Sequence, residues 1–102
     1  MDVRLLYFDD CPNWRLAEKR LREALAELGD RAPAVTYEQV RTPEQAEHAG
    51  FRGSPTILVN GRDPFAQPGD PVGLSCRIYR SPAGVDQAPT LEQLRSVLAS
   101  AG

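Results

Sequence analysis

Cys11 stands where a cysteine can do chemistry. It follows the apolar run Val3 to Phe8, precedes Pro12 and opens a stretch with helical spacing. A cysteine at such a junction turns its sulfur toward the free N–H groups of a new helix, which stabilise the thiolate, the reactive form of the side chain. With Pro12 at the first helical position, where its missing N–H costs nothing, Cys11 falls at the N-cap. The alternative is an inert, partly buried cysteine that merely caps the helix, but cysteine caps poorly beside Ser, Thr, Asp or Asn, which favours reactivity. The amides of Asn13 and Trp14, with the helix dipole, are expected to bring the thiol pKa down from about 8.5 toward the ~3.5–7.5 range of activated thiols. The segment reads Cys11-Pro12-Asn13-Trp14, so tryptophan stands where a C-x-x-C pair would carry its second thiol.

Cys76 is then the internal candidate to resolve a mixed disulfide. Two readings of it stand side by side. Leu74 to Tyr79 alternates as a strand would, which groups Cys76 with Leu74 and Ile78 on one face and suits a buried, inert thiol. In a hairpin following Pro55, Cys76 would lie about three residues, or ~10 Å, from the end of the strand nearest Cys11. A disulfide tolerates a Cα separation of about 4.4–6.8 Å. Pairing with Cys11 therefore needs the preceding loop to fold back, or Cys76 to precede the strand proper.

The elements that must position these residues are legible from local pattern. Val3 to Phe8 reads as a strand covered on both faces. Trp14, Ala17, Leu21, Ala24, Leu25 and Leu28 form one apolar helical stripe, with Glu18–Arg22 and Lys19–Glu23 on the outer side and Gly29 as the stop. Ala34 to Val40 reads as a second strand. Thr42-Pro43-Glu44-Gln45 is a capping box with Pro at N1, opening a short helix through Ala49 that Gly50 ends. Thr56 to Asn60 reads as a third strand, closed by a turn at Asn60-Gly61. Leu74 to Tyr79 reads as a fourth, and a second capping box, Thr90 to Gln93, starts a last helix with Leu91, Leu94, Val97 and Leu98 on one face. Between the third and fourth strands runs a Pro/Gly-rich loop over residues 61–73, longer than a hairpin connection needs, which is either a binding loop or lid or a disordered surface segment.

The strand leading into Cys11-Pro12 and a helix, together with Gly50-Phe51-Arg52-Gly53-Ser54-Pro55-Thr56-Ile57-Leu58, resembles the thioredoxin superfamily, most nearly its small bacterial thioredoxin-like or glutaredoxin-like members. The element order matches over nearly the whole chain, and the motif-level likeness lies in residues 3–14 and 50–60. The resemblance implies a single α/β domain spanning residues 1–102, ordered βαβαββα, with a four-stranded mixed sheet in the order 2-1-3-4 and helices on both faces. It implies that Pro55 follows a cis peptide beside the Cys11 sulfur, and that the Ser54 backbone pairs with an extended substrate chain. Cys11 would be the nucleophile in thiol–disulfide exchange, with Cys76, glutathione or a second thiol protein resolving the adduct. Pro12, Trp14, Ser54 and Pro55 would line the substrate site. Trp14 also continues the helix's apolar stripe, so core packing or pocket lining accounts for it as well as substrate stacking does.

Composition narrows the alternatives. A net charge of −2 lacks the basic footprint of a nucleic-acid binder. No run approaches the roughly 18 apolar residues of a membrane span. The chain opens directly on a strand-like pattern without a secretory leader, so the cytosol is expected, where cysteines are more often thiols, transient disulfides or ligands than structural staples. The expected partners are protein or low-molecular-weight thiols and disulfides, with no cofactor. His48, the one histidine, falls late in a short helix among glutamates and reads as a surface residue. Asp9 and Asp10 flank the sulfur and oppose thiolate formation, although Asp near a helix start is also ordinary capping chemistry. Cys11, Cys76 and His48 lack zinc-ligand spacing. Two further functions remain: a non-catalytic binding module holding a partner peptide, and handling of a soft ion such as mercury or copper(I) by the two thiolates.

Overall fold

The computed structural model describes residues 1–101. Its elements are β1 (Val3–Tyr7), α1 (Trp14–Ala26), β2 (Val35–Gln39), α2 (Pro43–Ala49), β3 (Thr56–Val59), β4 (Tyr79–Ser81), β5 (Gly84–Asp86) and α3 (Leu91–Ala101), with a 3-10 turn at Gly29–Arg31. β1 is the centre of a three-stranded mixed sheet, parallel to β2 and antiparallel to β3. Alternation along β1 fills both faces. Val3 and Leu5 join Leu21, Ala24, Leu25, Leu94 and Leu98 of α1 and α3, while Leu6 joins Val40, Ala46 and Phe51 on the α2 side.

The capping box at Thr90–Gln93 closes reciprocally, whereas at Thr42–Gln45 the return bond goes to Arg41, one residue before the cap. Thr42 Oγ1 accepts from the Gln45 amide at 3.1 Å, while Gln45 Oε1 accepts from the Arg41 amide at 2.8 Å. Thr90 and Gln93 bond reciprocally at 2.9 and 3.0 Å, satisfying N–H groups that a helix start leaves free. Gly50 ends α2 at φ 65°, a left-handed conformation that favours glycine. Asn60 and Gly61 both take positive φ, and Val59 and Arg62 exchange backbone bonds around them, a tight two-residue turn.

The expected four-stranded sheet in the order 2-1-3-4 is not what forms. The sheet has three strands, and β4 pairs instead with β5 in a separate two-stranded hairpin. Residues 74–78 are irregular, and Cys76 makes only an isolated parallel bridge to Ser54. The reason lies in which side chains turn inward. Alternation persists through this segment on the face opposite to that expected: Arg77 and Tyr79 are buried, while Cys76 and Ile78 are exposed. A one-residue shift of face moves every side chain to the other side. Here it occurs because Asp63 supplies a buried carboxylate for Arg77. Ser75 and Arg77 spend their backbone groups on Ser54, ahead of β3, so the segment does not run alongside β3.

The helix start is also displaced. α1 begins at Trp14 with Asn13 as N-cap, after a turn in which the Arg15 amide donates to the Pro12 carbonyl. Cys11 therefore lies two residues before the cap and Pro12 outside the helix. α1 ends at Ala26, three residues short of Gly29.

Candidate functional site

The structure joins Cys11 to Cys76 in a disulfide, with their Cα atoms 5.8 Å apart. That separation lies within disulfide range because Cys76 precedes β4 rather than sitting inside a strand. Two backbone bonds hold it there. The Ser54 amide donates to the Ser75 carbonyl at 2.7 Å, and the Arg77 amide donates to the Ser54 carbonyl at 2.9 Å. The Ser54 edge, expected to receive an extended substrate chain, is thus occupied by the chain's own residues 75–77. Ser54 is fully buried, and its hydroxyl accepts from the Phe8 amide at 3.0 Å, fixing the segment to the end of β1. The Ser54–Pro55 peptide is cis.

The two sulfurs sit in different surroundings. Cys11 is 1% exposed, with its Sγ 3.8 Å from the Ser54 carbonyl oxygen. A disulfide sulfur carries no proton, so this is a contact and not a hydrogen bond. Cys76 lies at the surface. The sulfur that meets solvent is therefore that of Cys76, whereas the sequence places the attacking sulfur at Cys11. The amides of Asn13 and Trp14 donate to no backbone carbonyl among the described residues.

Trp14 is half-buried. It stacks on Tyr7 with ring centroids 4.4 Å apart and packs against the cluster between the sheet and α1, while the Arg15 guanidinium lies over its outer face. Pro12, Asp9 and Asp10 are exposed, and so is His48 on α2. Among the described residues no group of three or more His, Cys, Asp or Glu side chains is placed to hold a metal, so a soft ion would have the two reduced thiolates as its ligands. Among the same residues no helix is long and apolar enough to cross a membrane.

Sequence reasoning missed the clamp that sets Cys76 in place. Arg77 grips Asp63 through two nitrogens, at 2.6 and 3.3 Å, with side chains only 6% and 8% exposed. The guanidinium also lies 4.5 Å from the centre of the Tyr79 ring, and Phe65 meets that ring edge-on. The Tyr79 hydroxyl donates to the Pro55 carbonyl. Gly53 lets the segment come this close: a Cβ there would stand 3.0 Å from Arg77 Cβ and 3.1 Å from the Ser75 carbonyl oxygen, and its φ is +110°. The Asp63–Arg77 pair thus ties the start of the 61–73 loop to the cysteine segment, and the Gly73 amide, donating to the Phe51 carbonyl, ties its end.

Burial pushes the Tyr79 phenol well above the ordinary tyrosine value of 10.0, with Arg77 offsetting part of the rise. The native state thus holds the neutral phenol more tightly than the unfolded chain does. That stability is complete below pH 10.0, the ordinary tyrosine value, and drains away as pH rises toward the higher folded value. Alkaline unfolding followed by tyrosinate absorbance should show Tyr79 ionising last and together with loss of structure. Tyr79→Phe should remove that coupled step; an early Tyr79 ionisation without unfolding would contradict it.

Comparison with family models, with curated proteins and with solved structures found no match to this chain.

Proposed function

We propose that this protein carries out thiol–disulfide exchange through the Cys11–Cys76 pair. One observation carries the reading: two cysteines far apart in sequence are held within bonding distance, one sulfur at the surface, by a clamp of Asp63, Arg77 and Tyr79. The resemblance of residues 3–14 and 50–60 to the thioredoxin superfamily supports it.

In the reducing direction, one thiolate of the pair attacks a substrate disulfide. A mixed disulfide forms, and half of the substrate leaves as a thiolate that takes up a proton. The second cysteine, deprotonated, attacks the mixed disulfide, the other half leaves as a thiol, and the Cys11–Cys76 bond closes. Two electrons pass from the pair to the substrate, and an external thiol or dithiol restores them. Cys76 supplies the second thiol that Trp14 withholds from the Cys11-Pro12-Asn13-Trp14 segment.

The test is reversibility in the folded state. In dithiothreitol buffers of graded redox ratio, the native protein should interconvert between disulfide and dithiol, read by alkylation and peptide mapping. It should also turn over a disulfide reporter, with activity lost in both Cys11→Ser and Cys76→Ser. A bond that opens only on unfolding, or turnover that survives either substitution, sinks the proposal. Reversible interconversion without turnover would favour a binding module.

A further inference from the structure

We infer that the external thiol enters this cycle at Cys76, not Cys11, and that it is a small anionic thiol received in the groove beside Cys76. The inference rests on the exchange function proposed above and deepens it.

Thiolate attack on a disulfide runs along the S–S axis, so the attacked sulfur must be open on the side away from its partner, and access decides which sulfur reacts. Cys11 offers no such approach, being buried with its sulfur against the Ser54 carbonyl. Cys76 is exposed and lines a groove of about 640 Å³, the size of a small-molecule site.

The groove's charge defines what fits. Three arginines face it, Arg52, Arg77 and Arg80, against one carboxylate, Asp70. Arg77 is committed to Asp63, and Arg52 stands 4.0 Å from Asp70. Arg80 has no side-chain partner among the described residues; its backbone carbonyl is held by Gln93 Nε2 at 2.9 Å. One cation is thus left over, on the same wall as the reactive sulfur. From Cys76 to Arg80 the backbone spans at most about 14 Å at full extension. Both residues line the one groove, and the long Arg80 side chain can cover much of that span, so a compact thiol carrying a carboxylate fits with the carboxylate toward Arg80 and the sulfur behind Cys76 Sγ. Phe65, Ile78 and Tyr79, with Pro64 and Pro71, supply the apolar part of the wall.

The step balances as follows. The incoming thiolate forms a bond to Cys76 Sγ, the Cys11–Cys76 bond breaks, and Cys11 leaves with the electron pair. Cys11 takes up a proton and donates it toward the Ser54 carbonyl. A second thiolate attacks the incoming thiol's sulfur in the adduct and releases Cys76, so two thiols become one disulfide and the protein disulfide becomes two thiols.

The test uses the intact oxidised protein. It is mixed briefly with 3-mercaptopropionate, quenched in acid, alkylated and mapped. The adduct should lie on Cys76 in at least about ten-fold excess over Cys11, as expected when access selects the sulfur. Arg80→Glu should slow reaction with 3-mercaptopropionate about three-fold in low salt while leaving or raising the rate with cysteamine, a cationic thiol. An adduct mainly on Cys11, or equal effects of Arg80→Glu on both thiols, overturns the inference. If the folded protein cycles reversibly but the adduct sits on Cys11, only this inference fails. If no native reduction occurs at all, the exchange function fails with it.

Discussion

Reducing the Cys11–Cys76 bond is expected to lower the unfolding free energy by about 4 kcal/mol, because the bond closes a loop across a separation of 65 residues in the denatured chain. Small domains hold only about 5–15 kcal/mol in total, so the loss is a large share of stability. For a chain of this length it corresponds to a fall in Tm of roughly 15–30 °C. Urea unfolding with and without dithiothreitol measures it. Cys76→Ser is the cleaner variant, since Cys76 is exposed and its exchange for a hydroxyl costs little by itself. Cys11→Ser buries a new hydroxyl at a site 1% exposed and should lose more. If reduced and oxidised proteins unfold at the same urea concentration, the bond does not constrain the chain as the structure requires. The same cycle runs in reverse: folding favours the disulfide by about 4 kcal/mol, or roughly 85 mV at about 30 mV per 1.4 kcal/mol. The folded dithiol is thereby a stronger reductant than the same two cysteines in the unfolded chain.

How far the sequence reveals this protein depends on the range over which each feature is determined. The helices and β1, β2 and β3 follow from local periodicity, and Thr42, Gln45, Thr90 and Gln93 mark helix starts because a capping box is complete within four residues. The start of α1 is misplaced by two residues because Pro12 fits a turn before a helix as well as it fits the first helical position. The fourth strand fails for a longer-range reason. An arginine in an alternating segment reads as solvent-facing, and only the carboxylate of Asp63, across the loop, reverses that for Arg77. Once Arg77 and Tyr79 turn inward, Cys76 and Ile78 must turn outward. The face of Cys76 was thus unreadable without Asp63. β5, three residues long, offers too short a pattern to detect, although Pro82 before it and Gly84 at its start are turn residues. Both cysteines and Ser54 are visible as candidates from type and position, whereas Gly53, Asp63, Arg77 and Tyr79 gain their role only from contacts between distant segments.

Asp63→Asn should cost about 3–5 kcal/mol, because it leaves the Arg77 guanidinium buried without a countercharge. Most ion pairs here cannot have that effect. Arg95–Glu27 is nearly as short at 2.7 Å, but both side chains are about half exposed, and such pairs are worth about 0–1 kcal/mol. Asp63 and Arg77 differ in burial and in making two contacts. Glu27→Gln is therefore the matched control, and urea unfolding of both variants in the oxidised state, where the disulfide keeps the segment tethered, gives the comparison. Equal, small losses would mean that water reaches Arg77 and that the pair is not a clamp. The double substitution Asp63→Leu with Arg77→Met should recover most of the loss, since removing both charges leaves neither unpaired. The functional consequence appears on reduction. With the bond open and Asp63 neutral, residues 75–77 are held at this edge by the Ser54–Ser75 and Arg77–Ser54 backbone bonds, by the Tyr79 hydroxyl on Pro55 and by the weaker Arg77–Thr56 bond at 3.4 Å. In reduced Asp63→Asn, backbone amide exchange at Ser54 and Arg77 should accelerate well beyond that in reduced wild type, while exchange in β1 stays slow.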